Sequence, residues 1–508
     1  MKLLSHALFI LFLLSPIKLY AEPWVDTSNI FLRANIQYLA DKGIIKAPVT
    51  TFPLMWQDIA SDINNVSHFQ LDESTKESLR YVKHQLKLAK RSQRTIEINT
   101  ATATKRFTSF GEDYRANNNL KISTTFISNQ VAGKISANYS TSASSDEHIQ
   151  FDGSYAAFFL GNWVVSAGMQ DRWWGPSWDT SLSLTNNARP IPALSISRKS
   201  AIPLTIPFSD IEIPWTVTSF MGVMDDERVI KDTQLWGFRL NFKPANNWEI
   251  GITRLAQWAG ENRPSDFDTF LNVLKGLDNC GGNGPSIEEC VAGKEPGNQL
   301  AGYDIRWSTS LFSHPLAISF TTFAEDGDRK GGLSILGEER YQVSLESQLK
   351  LFSLNWKIFL EGTDTVALCK DGHNGDGTSK IGDCYYEHHI YKTGMRYRNR
   401  VVGNLYENDA TSVVLGLISQ SNSNMQFEFK LRWLQLNKDN HDKAPNNKLI
   451  GNTLTPIAEN MTMLSGKVQH SYRNWRLTLG SDASLSTFDN AIKDNTEINI
   501  FAKIEYNL

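Results

Sequence analysis

The chain has 508 residues, of which 41% are hydrophobic and 11% aromatic, and its formal net charge at pH 7 is −3. The chain lacks the excess of basic residues that would indicate a nucleic-acid partner. Its length allows several domains or one large barrel with a smaller helical part. Beyond the N-terminal stretch no run of about eighteen apolar residues occurs, which excludes membrane-spanning helices.

The N-terminus has the pattern of a secretory signal peptide. Lys2 supplies a positive charge, Leu3 to Leu14 is mostly apolar, and Ala21 is a plausible cleavage site. Such a segment is too short to be a spanning helix. We therefore expect residues 1–21 to be a signal peptide and the mature protein to be secreted.

Residues 22–94 predict three short helices. Apolar residues recur at helical spacing from Ile30 to Leu39, Thr51 is a candidate N-cap for a second helix, and Asp72 begins a third. Their apolar faces need a partner. The segment is either an independent bundle or a cap on a larger fold, and we expect the cap because so few residues make a small core.

From Thr95 onward the pattern changes to strands. Apolar and polar residues alternate in segments such as 236–243, 354–361 and 425–433, each about long enough to cross a membrane as a tilted strand. Residues 496–508 alternate to the end of the chain, with Phe501 as the one apolar intruder on the polar face. A soluble domain avoids such an exposed edge, whereas a transmembrane barrel needs a last strand that closes against the first.

Tight turns alternate with long polar loops along residues 95–508. The tight turns lie at 161–162, 244–247, 350–353, 421–424 and 471–474, and the long loops at 171–192, 259–297, 326–338, 365–409, 437–459 and 487–495. Closure requires Thr365 to Asp409 to be one external excursion. The pattern predicts a mainly β fold, a transmembrane antiparallel β-barrel of about 18 strands with an N-terminal periplasmic α-helical bundle.

Four cysteines remain in what we expect to be an oxidising compartment. Cys280 and Cys290 share one predicted loop, and Cys369 and Cys384 share another. Three pairings are formally possible, and pairing within each loop is the natural one. The spacing is not that of a zinc site.

Aromatic, basic and amide side chains concentrate where three long loops begin or fold back. Aromatic faces stack on sugar rings, and guanidinium or amide groups bind hydroxyls and carboxylates, so these loops could form a carbohydrate-binding surface. The alternative is an interfacial aromatic girdle with ordinary loop packing, which composition alone favours. The three groups are Arg172–Trp173–Trp174, Gln257–Trp258 with Arg263, and His388–His389 among tyrosines.

No catalytic or metal-binding motif stands out. The chain has no nucleophile elbow, zinc-protease helix or phosphate-binding loop. Adjacent residues such as His388 and His389 point in opposite directions on an extended chain, so a shared metal ion is not expected. We therefore expect no enzymatic activity, metal or cofactor. A barrel hydrolase whose serine and histidine meet only in space stays open as an alternative.

Several blocks resemble the capsule assembly outer-membrane proteins of the Wzi family, over nearly the whole mature chain. They are Gln170 to Arg198 with RWWGP and NNARP, Arg254 to Phe267, Glu295 to Asp304, Tyr386 to Gly394, and the helical opening around Lys42 and Trp56.

The resemblance implies a lectin-like protein in the outer membrane of a Gram-negative bacterium, with its loops facing the exterior. Its partners would be capsular polysaccharide and outer-membrane lipid, close to the separate translocon that exports the polymer. The leading alternative is an oligosaccharide channel, followed by a barrel hydrolase. Carried over by motif, the ligand-facing residues are Arg172, Trp173, Trp174, Arg254, Gln257, Trp258, Arg263, His388 and His389.

Two departures from the family pattern matter. The segments Cys280 to Cys290 and Cys369 to Cys384 look like insertions, so the identity of the bound sugar does not transfer. Arg254 also shares its parity with Trp248 and Ile252, which would face lipid. We therefore expect a β-bulge near Leu255 that turns Arg254 inward.

Overall fold

The computed structural model describes residues 22–64, 66, 71–112, 115–143, 147–276, 297–311, 314–325, 338–352, 354–373, 379–381, 385–419, 424–442, 444–447, 449–488 and 494–508. In these ranges no helix has both the length and the apolar character needed to cross a membrane. The signal peptide predicted for residues 1–21 lies outside the described residues. Cysteine side chains of both predicted disulfides also lie outside the described residues, so both disulfides stay predictions.

Eighteen antiparallel strands close into a barrel, as predicted. The fourth strand is split into two pieces that both pair with the third. In chain order the strands are β1 Arg94–Ala101, β2 Ala116–Ile127, β3 Val131–Ala143, β4 Ile149–Gln150 with Tyr155–Leu160, β5 Trp163–Gly168, β6 Ala193–Arg198, β7 Trp215–Met224, β8 Thr233–Ala245, β9 Trp248–Trp258, β10 Gly297–Leu311, β11 His314–Glu325, β12 Glu338–Leu351, β13 Leu354–Asp364, β14 Thr411–Ser419, β15 Met425–Leu436, β16 Glu459–Tyr472, β17 Trp475–Phe488 and β18 Asn495–Asn507.

The last strand closes the sheet against the first. Phe501 of β18 lies opposite Ala101 of β1. Ile498 and Ile500 are exposed on the outer wall, whereas Phe501 is buried on the inner one. The Phe501 ring covers Gly480 of β17, where an added Cβ atom would lie only 2.3 Å from it. The apolar intruder on the polar face is therefore a lumen residue that fills the space a glycine leaves.

The outer wall of the barrel is an apolar belt with aromatic residues near both ends. This is the pattern of a barrel surrounded by lipid. The exposed aromatic residues include Trp163, Trp248 and Trp475 towards the tight turns, and Tyr139, Tyr341 and Trp433 towards the long loops.

The inner wall is polar, and many of its charges are paired. Arg239 of β8 lies 2.6 Å from Asp304 of β10. Arg306 lies 3.0 Å from Glu346, which also binds Lys357. Because charges removed from water are costly unless they are paired, these ladders allow a polar lumen to be filled.

Three helices lie at the tight-turn end of the barrel: α1 Ile30–Asp41, α2 Trp56–Asn64 and α3 Glu73–Ala89. Asp72 caps α3 as predicted, its side chain accepting from the Thr75 N–H. The prediction that Thr51 caps α2 is wrong. Thr51–Phe52 forms a short strand with Trp173–Trp174, so its backbone is already paired and the helix begins at Trp56.

The helical segment is bound to the inner wall, and residues 22–93 are called the plug below. Asp41 accepts a hydrogen bond of 2.9 Å from Arg306. Glu249 accepts bonds of 2.8 Å from the N–H groups of Val49 and Thr50. Asn355, just after a tight turn, donates to Glu77. The plug therefore occupies the lumen at this end.

One connection at the tight-turn end is longer than the pattern suggests. Residues 199–214, between β6 and β7, include a hairpin of Leu204–Thr205 with Glu212–Ile213. Its base is held by the plug, because Asp58 accepts hydrogen bonds of 2.8 Å from Ser200 and from the N–H of Ala201.

The predicted bulge near Leu255 is wrong. β9 pairs with β10 without interruption, and its register with β8 shifts only between Phe242 and Ala245. Arg254 therefore keeps the outward parity of Trp248 and Ile252. Its guanidinium is instead bound by a helix outside the barrel, which is described below.

Two connections at the long-loop end fold into the lumen. Loop A is residues 169–192, between β5 and β6, and loop B is residues 365–410, between β13 and β14. Nearly all of loop A and most of residues 385–410 are buried. The described part of loop B adds no strand to the barrel, and β13 pairs directly with β14, which confirms that Thr365 to Asp409 is one excursion.

We predict that the intact protein carries no steady porin-like current in planar bilayers. An empty barrel of this size would leave an aqueous channel, but the plug and both loops occupy the lumen. A general porin reconstituted in parallel provides the reference conductance. Large, steady currents from the intact protein would contradict the filled lumen.

Candidate functional site

Loops A and B form one interlocked layer across the lumen. The Thr185 N–H donates to the Val402 carbonyl at 2.9 Å. The Tyr386 hydroxyl donates to the carbonyl of Leu182 at 2.5 Å. Neither loop can therefore move into the lumen or out of it without disturbing the other.

The deepest part of loop A binds charged residues of the wall. The N–H groups of Trp178 and Asp179 donate to Glu361, the latter at 2.9 Å. The Asp179 carboxylate lies 2.8 Å from Arg432 and 3.3 Å from Lys430. Burial alone would raise the pKa of Asp179, but these two cations outweigh it and lower the pKa. Asp179 is therefore an ionised anchor at the centre of the barrel.

Arg33 of α1 joins the plug to loop A. It donates hydrogen bonds of 2.9 and 2.7 Å to the carbonyls of Pro176 and Ser177. Burial lowers the pKa of Arg33 to about 9, so the guanidinium is charged at neutral pH. Its central carbon lies 4.3–5.6 Å from the centres of four aromatic rings, those of Phe52, Phe110, Trp173 and Trp178.

Trp173 and Trp174 are buried in this layer. Their backbone pairs with Thr51–Phe52 of the plug. The Trp173 indole N–H donates to the Ser177 carbonyl at 3.1 Å, and the Trp174 ring contacts Phe220 of β7. Neither ring offers a face to a ligand in this structure. Their predicted ligand contact would require loop A to open.

A cleft opens beside these rings, between loop A, the inner wall of β7 and loop B. Its volume is about 30 Å³, and it is open to solvent. This is well below the size of a ligand pocket, so only an edge of a sugar ring can enter the cleft as the loops stand. Its lining combines polar and apolar side chains: Gln170, Asp171, Arg172, Leu184, Thr185, Ala188, Arg189, Pro190, Ile191, Phe220 and Val402.

Arg172 lies in the wall of the cleft. Its guanidinium stacks 4.3 Å from the Phe220 ring centre and donates to the Ser195 hydroxyl at 2.8 Å and the Gln170 carbonyl at 3.1 Å. Across the described part of the chain, no carboxylate lies within ion-pair distance of it. Burial lowers the pKa of Arg172 to about 10, with Asp171 partly opposing the shift. Arg172 is thus a cation bound only to neutral acceptors.

Arg189 forms the rim of the same cleft. It donates two hydrogen bonds of 2.9 Å to Asp152 and one of 2.9 Å to Glu147. Glu147 also lies 2.8 Å from Arg398 of loop B. Sequence reasoning missed Arg189, although it stands within the NNARP motif and follows Arg172 in the same block.

Four of the loop residues converge at a second place, the histidine patch, which consists of Arg263, His388, His389 and Tyr391. The histidine rings lie 4.4 Å apart, and Arg263 lies 5.8 Å from the Tyr391 ring centre. Burial, and then His389 and Arg263, lower the pKa of His388 to about 3, so its imidazole is neutral. His389 is exposed. Within the described ranges no three or more His, Cys, Asp or Glu side chains are grouped to hold a metal ion.

Gln257 lies beneath the histidine patch rather than in it. It is fully buried on the inner wall. Its side chain donates to the Gly394 carbonyl at 2.7 Å and accepts from Asn298 at 3.1 Å. Gln257 therefore fixes the position of loop B on the barrel.

Arg254 and Trp258 lie on the outer wall, away from the cleft. Helix α4, Phe267–Lys275, packs over them. Arg254 donates to the Leu274 and Val273 carbonyls at 2.7 and 2.6 Å. The Trp258 ring centre is 5.0 Å from that of Phe270. The structure thus separates the predicted site residues into a buried layer with Trp173 and Trp174, a cleft, a patch, a support and an outer wall.

Comparison with known proteins identifies a family. The family model described as capsule assembly protein Wzi matches residues 87–499. An uncharacterized 55.8 kDa protein in the cps region of Klebsiella pneumoniae is 27% identical over 302 residues, which are 57% of this chain and 55% of that protein. The chain thus spans little more than half of this relative.

A solved structure shares the fold. It is Wzi of Escherichia coli, described as an outer-membrane protein involved in group 1 capsule assembly and as a carbohydrate-binding β-barrel. The alignment has a TM-score of 0.76 at 19% identity and covers 94% of this chain and 98% of that one.

We predict that Arg33→Gln weakens the junction between plug and loop A by about 2–4 kcal/mol, because a buried charge loses two hydrogen bonds to carbonyls. The measurement is the temperature at which the folded barrel loses its compact mobility on a detergent gel, together with protease access to loop A. Arg80→Gln is the control, since Arg80 is exposed on α3 and Glu73 is its one ion-pair partner among the described residues. Equal transition temperatures for both variants would count against the junction.

Proposed function

The chain belongs to the Wzi family of capsule assembly proteins, and from this premise we propose that it binds capsular polysaccharide at its external face and holds it on the cell surface without catalysis. The barrel stands in the outer membrane, with the plug facing the periplasm and the long loops facing the exterior. The polymer would be captured near the translocon that releases it.

The observation that carries this proposal is the cleft with Arg172 in its wall. A guanidinium that already binds only neutral acceptors can take up a sugar hydroxyl or carboxylate without breaking an ion pair. Apolar side chains such as Phe220, Leu184 and Ile191 line the same space. Guanidinium donors beside an apolar surface fit a sugar, which has polar edges and apolar faces.

The packing of the lumen supports attachment rather than transport. At the tip of loop A, Asp179 binds two cations of the wall, and the neighbouring carbonyls bind Arg33 of the plug. Loop B is in turn hydrogen-bonded to loop A. A polymer at the external face therefore meets a closed layer. Because the loops are already ordered, binding the polymer costs little conformational entropy.

The composition of the cleft supports binding rather than hydrolysis. Most glycosidases need two carboxyl groups on either side of the scissile bond. The cleft lining includes one, Asp171, and it lies 2.8 Å from Arg115. The carboxylates at its rim, Asp152 and Glu147, are bound to Arg189, so the described residues offer no acid–base couple across this space.

The histidine patch gives the polymer a second contact. Arg263 and His389 present donors at the same end of the barrel as the cleft. Because a polysaccharide repeats its unit, two weak contacts on one chain raise the effective affinity through avidity. We propose that the cleft contacts one repeat of the polymer and the patch another.

We predict that Arg172→Gln weakens binding of purified capsular polysaccharide by roughly tenfold, because one charge-assisted hydrogen bond is lost. Arg189→Gln should also weaken it, and His389→Ala should reduce it less. Binding to the detergent-solubilised protein is measured directly, and capsule on intact cells is stained.

The matched control is Arg473→Gln, because Arg473 is exposed in the tight turn between β16 and β17, at the opposite end of the barrel. Its binding and staining should equal those of the parent protein. Unchanged binding in both cleft variants would refute the proposed cleft. An equal loss with Arg473→Gln would point to non-specific charge attraction.

A further inference from the structure

Two polar side chains occupy positions on the outer wall that should face lipid. Arg254 of β9 has the parity of Trp248 and Ile252, and Gln299 of β10 lies on the neighbouring strand at the same face. A charged side chain on the lipid face of a barrel strand is unfavourable. Something must therefore cover and satisfy this pair.

Helix α4 supplies what they need. Arg254 donates to the carbonyls of Val273 and Leu274, and Gln299 donates to the Val273 carbonyl at 2.9 Å. The guanidinium also donates to the Gln299 side-chain oxygen at 2.6 Å. The last carbonyls of a helix carry partial negative charge and lack the i+4 N–H donors of the helix interior. The helix end and the wall thus satisfy each other.

The rest of α4 is divided into three faces. Thr269 and Val273 are buried, and Phe270 packs on Trp236 and Trp258 of the wall. Next to this face an apolar stripe points away from the barrel at helical spacing: exposed Phe267 with half-buried Leu271 and Leu274. The remaining stripe is polar and consists of Asp268, Asn272 and Lys275.

The position of the helix along the barrel indicates what covers the apolar stripe. Trp258 ends β9 and Trp236 stands near the start of β8, both at the long-loop end. Tyr341 and Trp433 are exposed on the outer wall near the same end. The helix therefore lies against the aromatic girdle, and its apolar stripe is continuous with the lipid-facing belt.

We propose that α4 is an interfacial helix whose Phe267 stripe enters the outer leaflet, with acyl chains as its occupant and the polar stripe turned to water and headgroups. A strongly amphipathic helix lying in the interface buries its apolar face in this way. The proposal depends on the barrel standing in a membrane and not on polysaccharide binding.

The arrangement also fixes the loop that carries part of the histidine patch. Arg263 lies four residues before Phe267 in the same connection. With α4 clamped by Arg254 and held by lipid, the chain between β9 and α4 has two fixed ends. The height of Arg263 above the membrane surface is thereby set by the bilayer itself.

The test places the photoreactive residue p-benzoylphenylalanine at position 267 of the full-length protein in outer membranes. Because Phe267 is 71% exposed, the change disturbs no core. After irradiation we expect a lipid adduct comparable to that from the same residue at Trp433. At Asp268, on the polar stripe of the same helix, the adduct should be lost.

A cross-link from position 267 to a second copy of the chain, or a lipid yield no higher than at Asp268, would overturn the proposal. Arg254→Met tests the clamp in the labelled protein. With the barrel still heat-modifiable, we expect the lipid adduct at position 267 to fall to the level seen at Asp268. An undiminished adduct would show that Arg254 does not hold the helix.

Discussion

An eighteen-stranded barrel encloses more space than its own inward side chains can fill. The plug and loop A fill it from opposite ends, and they meet at the Arg33 guanidinium. From one end the plug brings the cation, and from the other loop A brings two carbonyls and two tryptophan rings. A cation inside a barrel needs carboxylates or, as for Arg33, dipoles and aromatic faces in place of its water. The two ends of the molecule therefore meet at one charged group.

The charges of the wall determine how deep loop A reaches. Glu361 accepts from its backbone, and Arg432 and Lys430 hold the Asp179 carboxylate. Hydrogen bonds and ion pairs are stronger in a low-dielectric lumen, so they hold the loop in one geometry. The external cleft is therefore shaped from within, since loop A, which supplies Arg172 and Arg189, also carries the anchored tip.

The strand alternation made the barrel predictable, because side-chain parity reports which wall a residue faces. Phe501 looked like an exception and belongs to the lumen. Parity does not report what covers a residue, so it could not predict the burial of Trp173 or the helix over Arg254. The pairing that displaced the cap at Thr51 comes from residues more than a hundred positions away in the sequence. Arg33 did leave a signal, as the one basic residue in α1.

The strand pairing between Thr51–Phe52 and Trp173–Trp174 has a consequence for how the molecule is built. The plug is joined by hydrogen bonds both to the inner wall and to a loop that enters from the opposite mouth. The mouth at the tight-turn end is the way in for the plug, since loops A and B cross the other mouth. Loop A can complete its pairing only once residues 51–52 are in place, so the centre of the lumen is assembled from both ends together.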